Sequence, residues 1–160
     1  MRAPIARTRD LRDVPPDGQA RGLQSHRCML MPSVSRFMTR EPYRIPSTAS
    51  LAEARALMQQ HDIRHLPVME GDKLLGIISQ NDVRIVAAVP GVHLENIEVS
   101  RVLTSPTCVW GEASLDEVAE TMATDKLDCV VVLGGHGVQG IFTSCDALRA
   151  LGDVLQRATM

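Results

Sequence analysis

Aromatic side chains are scarce in this sequence: one Trp, one Tyr and two Phe make up 2% of its residues. A platform that stacks single-stranded bases needs several aromatics, so that class of nucleic-acid binder is excluded. No charge of one sign dominates either. The formal net charge is −2, which leaves no global field to gather nucleic acid or anionic lipid. No apolar run approaches the roughly 20 residues that span a bilayer, and no basic n-region with an apolar h-region opens the chain. The expectation is a soluble, cytoplasmic protein with neither a nucleic-acid nor a membrane partner. Cys28, Cys108, Cys129 and Cys145 show no CxxC spacing, and a chain this long buries a core without disulfide staples. They are expected to be free thiols in a reducing compartment.

Catalytic signatures are missing too. The sequence has no P-loop, no GxGxxG and no Ser/His/acid constellation, so the chain is not expected to be an enzyme. His61 and His65 have the i, i+4 spacing of helical metal ligands. The run "IRHLPV" turns to strand after Ile63, however, and no carboxylate or thiol completes the set. No metal is expected. Cys145 sits at a helix start, which lowers a thiol pKa; a small buried filler is the expected role and redox sensing the alternative.

What is present is an internal duplication, the first feature to search for in any chain. Residues 42–84 align with 106–148 at a constant offset of 64 without gaps. Ala49/Ala113, Ser50/Ser114, Leu51/Leu115, Glu53/Glu117, Met58/Met122, Val68/Val132, Gly76/Gly140, Ile77/Ile141 and Asp82/Asp146 are identical pairs. Just upstream, "VSRFMT" (34–39) matches "VSRVLT" (99–104). Residues 1–30 stand outside the repeat, with six Arg, three Pro and three Asp but no apolar period. Such composition buries too little to offset ordering entropy, so a disordered extension is expected there, with Met29 or Met31 as alternative starts. The expected division is then 31–88 and 99–152 for the repeats, 89–98 for a linker and 153–160 for a C-terminal tail.

Each copy reads alike. A short leading helix meets a proline and then an extended piece, "YRI" or "CVW". Ser50 with Glu53 and Ser114 with Glu117 form S-x-x-E capping boxes that start a helix. Leu51, Ala54, Leu57 and Met58 fall on one helical stripe, as do Leu115, Val118 and Met122. Two β-rich runs follow, joined by "EGDK" or "GGHG", which reads as a hairpin. A last helix starts after Ser79 or Thr143. The fold class is α+β, built from two β-α-β-β-α repeats.

With "IRHLPVMEGDKLLGIISQNDV" in copy one, this order of elements resembles the cystathionine β-synthase (CBS) domain. The resemblance covers residues 34–87 and 99–150. It implies that the two repeats pack as one pseudo-two-fold module with two clefts between them. It further implies an adenosine-containing effector: AMP, ADP, ATP, S-adenosylmethionine or NAD(H). No cofactor is required. A homodimer and regulation of a partner protein are implied as well. A ligand-free structural or interaction module is the alternative.

The motif shared by "GIISQND" (76–82) and "GIFTSCD" (140–146) carries the chemistry. Spacing alone explains it as a helix cap, with Ser79 or Thr143 at the N-cap and Asp82 or Asp146 at N3. The resemblance adds a ligand role. Asp82 and Asp146 correspond to a ribose-binding Asp, Ser79 and Thr143 to a hydroxyl contact, and Gly76 and Gly140 to close approach of a flat base. Ile45, Pro67 and Ile77, with Val109, Val131 and Ile141, are the remaining implied contacts. Arg64 and His65 are implied phosphate contacts in copy one; copy two has Asp128 and Cys129 there, which cannot neutralise phosphate. Copy one is therefore expected to accept phosphate, while copy two stays empty or takes a less charged adenosyl group.

Overall fold

The computed structural model describes residues 31–158; the extension expected over 1–30 lies outside them. In chain order the elements are β1 (Thr39–Arg40), β2 (Ile45–Pro46), α1 (Leu51–Gln60), β3 (His65–Glu70), β4 (Lys73–Ser79) and α2 (Gln80–Ala87). They continue with β5 (Cys108–Trp110), α3 (Leu115–Asp125), β6 (Cys129–Gly134), β7 (Gly137–Thr143) and α4 (Ser144–Ala158). The architecture is α+β, as expected from the patterning. None of these helices is long and apolar enough to cross a membrane. Residues 153–158 continue α4.

The chain forms two compact units, and they are not the two sequence copies. One is Pro42–Pro106; among the described residues the other joins 31–41 to 107–158. The leading segment of each copy has been exchanged. "VSRFMT" supplies β1 to the unit that holds copy two, and "VSRVLT" lies in the unit that holds copy one. The short leading helix of each segment is a single 3-10 turn, Val34–Arg36 and Val99–Arg101.

In the unit spanning 42–106, β2 runs parallel to β3 and β3 antiparallel to β4. The hairpin turns at Gly71, whose φ of 57° lies in the left-handed region that glycine enters freely. The α1 capping box forms as its sequence requires: Ser50 N donates to Glu53 Oε2 at 2.7 Å and Glu53 N to Ser50 Oγ at 3.2 Å. Leu51, Ala54 and Met58 are buried against Ile45, Leu66, Val68, Ile78 and Val83. The expected linker contributes to this core through Leu94, and Leu51 N donates to Ile97 O at 2.8 Å.

The other unit carries a four-stranded sheet in the order β1-β7-β6-β5. Its core contains Val34, Met38, Val118, Met122, Val130, Val132 and Phe142. Both hairpins carry a register shift at the same repeat position, Val68/Met69 and Val132/Leu133. The second capping box does not form. The Ser114 hydroxyl donates to Asp116 instead and makes no cap bond to the helix backbone. Copy one has Ala52 at that position, so nothing there competes for its serine.

Candidate functional site

Each unit carries one strand-to-helix grip. In 42–106, β4 ends at Ser79, whose extended backbone (φ −104°, ψ 159°) makes it the N-cap of α2. Asp82 N donates to Ser79 Oγ at 3.1 Å. In return Asp82 Oδ2 accepts from Ser79 N at 2.8 Å and from Ser79 Oγ at 2.6 Å. The cap consumes Oδ2, and Oδ1 accepts no hydrogen bond among the described residues. Gln80 N donates to Arg64 O at 2.8 Å, which ties the approach to β3 against the helix start. Arg64 is exposed and His65, register partner of Ser79, is half-buried.

The second grip repeats this geometry. Asp146 Oδ2 accepts from Thr143 N at 2.9 Å and from Thr143 Oγ1 at 2.8 Å. Ser144 N donates to Asp128 O at 3.0 Å, the counterpart of the Gln80–Arg64 bond. Two features differ. Asp146 is buried, at 5% exposure, and its Oδ1 is occupied by Arg149 Nη1 at 3.1 Å. The sequence reading overlooked Arg149, although an i, i+3 acid–Arg spacing on a helix signals such a pair.

Sheet parity sorts the remaining candidates. His65, Pro67, Ile77 and Ser79 pair as His65–Ser79 and Pro67–Ile77, so they share the sheet face away from the unit's own core. Ile45 pairs with Val68 and belongs to that core, so its side chain points to the opposite face. The other unit divides the same way: Val131, Ile141 and Thr143 share one face, while Val109 packs into the core. Ile45 and Val109 can offer only backbone to a ligand on the first face. The two glycines lie where other backbone passes close by. A Cβ at Gly76 would come within 2.7 Å of Thr104 O, and one at Gly140 within 2.8 Å of Thr39 O. The space a side chain would need is filled by the exchanged leading segment of each unit.

His61 stacks on Tyr43, with ring centroids 3.7 Å apart and planes 18° from parallel. Cys108, Cys129 and Cys145 are in no disulfide. Burial pushes the Cys108 thiol up to about 11. Cys145 is half-buried rather than fully enclosed.

Comparison with known proteins agrees with this architecture. The family model described as CBS domain matches residues 34–88 and 99–153. An inosine-5′-monophosphate dehydrogenase of Thermoplasma acidophilum is 28% identical over 113 residues, 70% of this chain but 22% of the dehydrogenase. The chain spans only about a quarter or less of the curated relatives it matches. Among solved structures, a Vibrio cholerae protein provisionally assigned to acetoin utilization is 32% identical with a TM-score of 0.71, covering 79% of this chain and 95% of that one. The CBS domain pair of protein MJ0100, in complex with 5′-methylthioadenosine and S-adenosyl-L-methionine, is 27% identical with a TM-score of 0.68. That match covers 77% of this chain and 98% of the MJ0100 pair.

Proposed function

The chain belongs to the CBS domain family, and on that premise we propose that it is a regulatory module whose grips hold an adenosine-containing ligand. The observation that carries this reading is the state of Asp82. Its Oδ2 is fixed by the α2 cap while Oδ1 takes no bond among the described residues. An ionised carboxylate oxygen held this way accepts hydrogen bonds from a ribose cis-diol. Arg64, whose carbonyl accepts from Gln80 N, and His65, register partner of Ser79, would meet phosphate beside this grip, and the adenosyl ligands in the MJ0100 pair support the same ligand class. Asp128 and Cys129 give the second grip no such basic company.

Regulation then follows from linkage. A ligand that binds one arrangement of the module more tightly shifts the population toward it and changes a partner's affinity by the factor by which that partner changes the ligand's. The test is thermal unfolding with AMP, ADP, ATP, S-adenosylmethionine and NADH in turn. A ligand at 100 times its Kd adds about 2.7 kcal/mol, a rise in Tm of roughly 5–11 °C for a chain of this size. No shift with any of them would favour the ligand-free interaction module.

One observation bears on that second reading. Leu148, Leu151 and Leu155 lie at i, i+3, i+7 on α4 and are 67%, 52% and 58% exposed. Such spacing suits the a/d seam of a helix pair. We assign it to a second copy of this chain, because an antiparallel pairing about Leu151 and Gly152 sets Leu148 of one copy against Leu155 of the other. Leu151→Glu should convert a dimer to monomer in sedimentation velocity; a monomer before the substitution sinks the assignment.

A further inference from the structure

We propose that Arg149 disfavours an uncharged ribose diol at the Asp146 grip, so that an adenosyl ligand occupies the Asp82 grip first; this rests on the reading of both grips as diol sites. Oδ2 is consumed by the helix cap in each grip, through two bonds to Ser79 or two to Thr143. The diol must therefore be received by Oδ1.

At Asp82 that oxygen has no donor to displace among the described residues. The α2 position that matches Arg149 is Ile85, 61% exposed and unable to donate. At Asp146, Oδ1 already accepts from the Arg149 guanidinium at 3.1 Å. The pair is local, spaced i, i+3 along α4, so it persists without support from any other segment. A diol arriving there has to compete with a charged donor. The Arg149 side chain is 78% exposed, which keeps that competition mild: pairs of this kind shift an equilibrium by roughly two- to fivefold.

The two residues can be exchanged between the grips, which gives the test its control. Adenosine is the probe, because it carries the diol without phosphate, so the charge of Arg149 has no anion to attract. Titration calorimetry on the full chain compares the unaltered protein with Arg149→Ile and with Ile85→Arg, each checked for an unchanged thermal midpoint. Arg149→Ile should tighten the weaker site by two- to fivefold, and Ile85→Arg should weaken the tighter site by a similar factor. Binding of 2′-deoxyadenosine, which lacks the diol, should respond to neither.

Unchanged adenosine binding in both variants overturns the proposal and leaves the ligand reading standing. Weaker binding by Arg149→Ile also overturns it, since Arg149 would then be a ligand contact. Binding of AMP without any binding of adenosine overturns the diol argument alone. Failure of adenosine and of all five effectors (AMP, ADP, ATP, S-adenosylmethionine and NADH) to bind the unaltered chain ends the ligand reading and the proposal together.

Discussion

Replacing Gly76 by Ala tests whether the exchanged leading segment is held by the close crossing at β4. The new Cβ would stand 2.6 Å from Leu103 Cδ1 and 2.7 Å from Thr104 O. The leucine methyl can rotate away, but the carbonyl cannot, because it accepts from Ile77 N at 3.0 Å while Thr104 N donates back to Ile77 O at 2.9 Å. Ordinary van der Waals separation therefore requires the two backbones to part and this bridge to stretch. Overpacking of this kind costs about 1–3 kcal/mol, and each weakened backbone bond adds up to about 0.5–1.5 kcal/mol. The expected loss is about 2–4 kcal/mol, read by urea unfolding followed by far-UV circular dichroism at an unchanged m-value. Gly135→Ala is the control: a Cβ there meets nothing within 4 Å, so its change should stay within about 0.5 kcal/mol. Gly140→Ala should match Gly76→Ala, because Thr39 O lies 2.8 Å from its Cβ position. A loss under about 1 kcal/mol for Gly76→Ala would refute the claim that these glycines exist for the crossing chain.

Three further outcomes follow from the local chemistry. Ser50→Ala should cost about 1 kcal/mol in chemical denaturation, whereas Ser114→Ala should cost only a few tenths, because the Ser114 hydroxyl bonds to Asp116 rather than to the α3 backbone. The Ser50 backbone N–H, and then its hydroxyl, hold the Glu53 carboxyl below its ordinary 4.5. Its contribution to stability is present above that value and is lost as pH falls through the depressed one; Glu53→Gln should flatten this acid limb, and an unchanged limb would contradict the capping box. Cys108 is buried with its thiol raised to about 11, so in the native state at pH 8 iodoacetamide should modify Cys129 and Cys145 well before it. Peptide mass spectrometry that found Cys108 labelled first would disprove that burial.

Much of this architecture is legible in the sequence, and the reasons are local. A capping box is a bond between residues three apart, so Ser50 and Glu53 announce α1, and Ser79 with Asp82 announces α2. A tight hairpin needs glycine where φ is positive, so "EGDK" announces the turn between β3 and β4. The constant offset of 64 made the duplication visible without reference to structure. The same local rule failed at Ser114, where Asp116 offered its hydroxyl a nearer acceptor.

Asp82 and Asp146 come from identical motifs, and the sequence alone determined that both would be held at helix starts by a hydroxyl cap. Only the tertiary structure decided the rest, because the rest depends on residues far apart in the chain or on the parity of a sheet. It threads Val34–Glu41 into the unit of copy two and residues 99–106 into that of copy one. It turns Ile45 and Val109 into the cores rather than toward the grips. It fills the space beside Gly76 and Gly140 with backbone from those exchanged segments. It also shows one difference that a helical spacing could have foretold: Arg149 takes the outer oxygen of Asp146, while Asp82 keeps its own without a donor among the described residues.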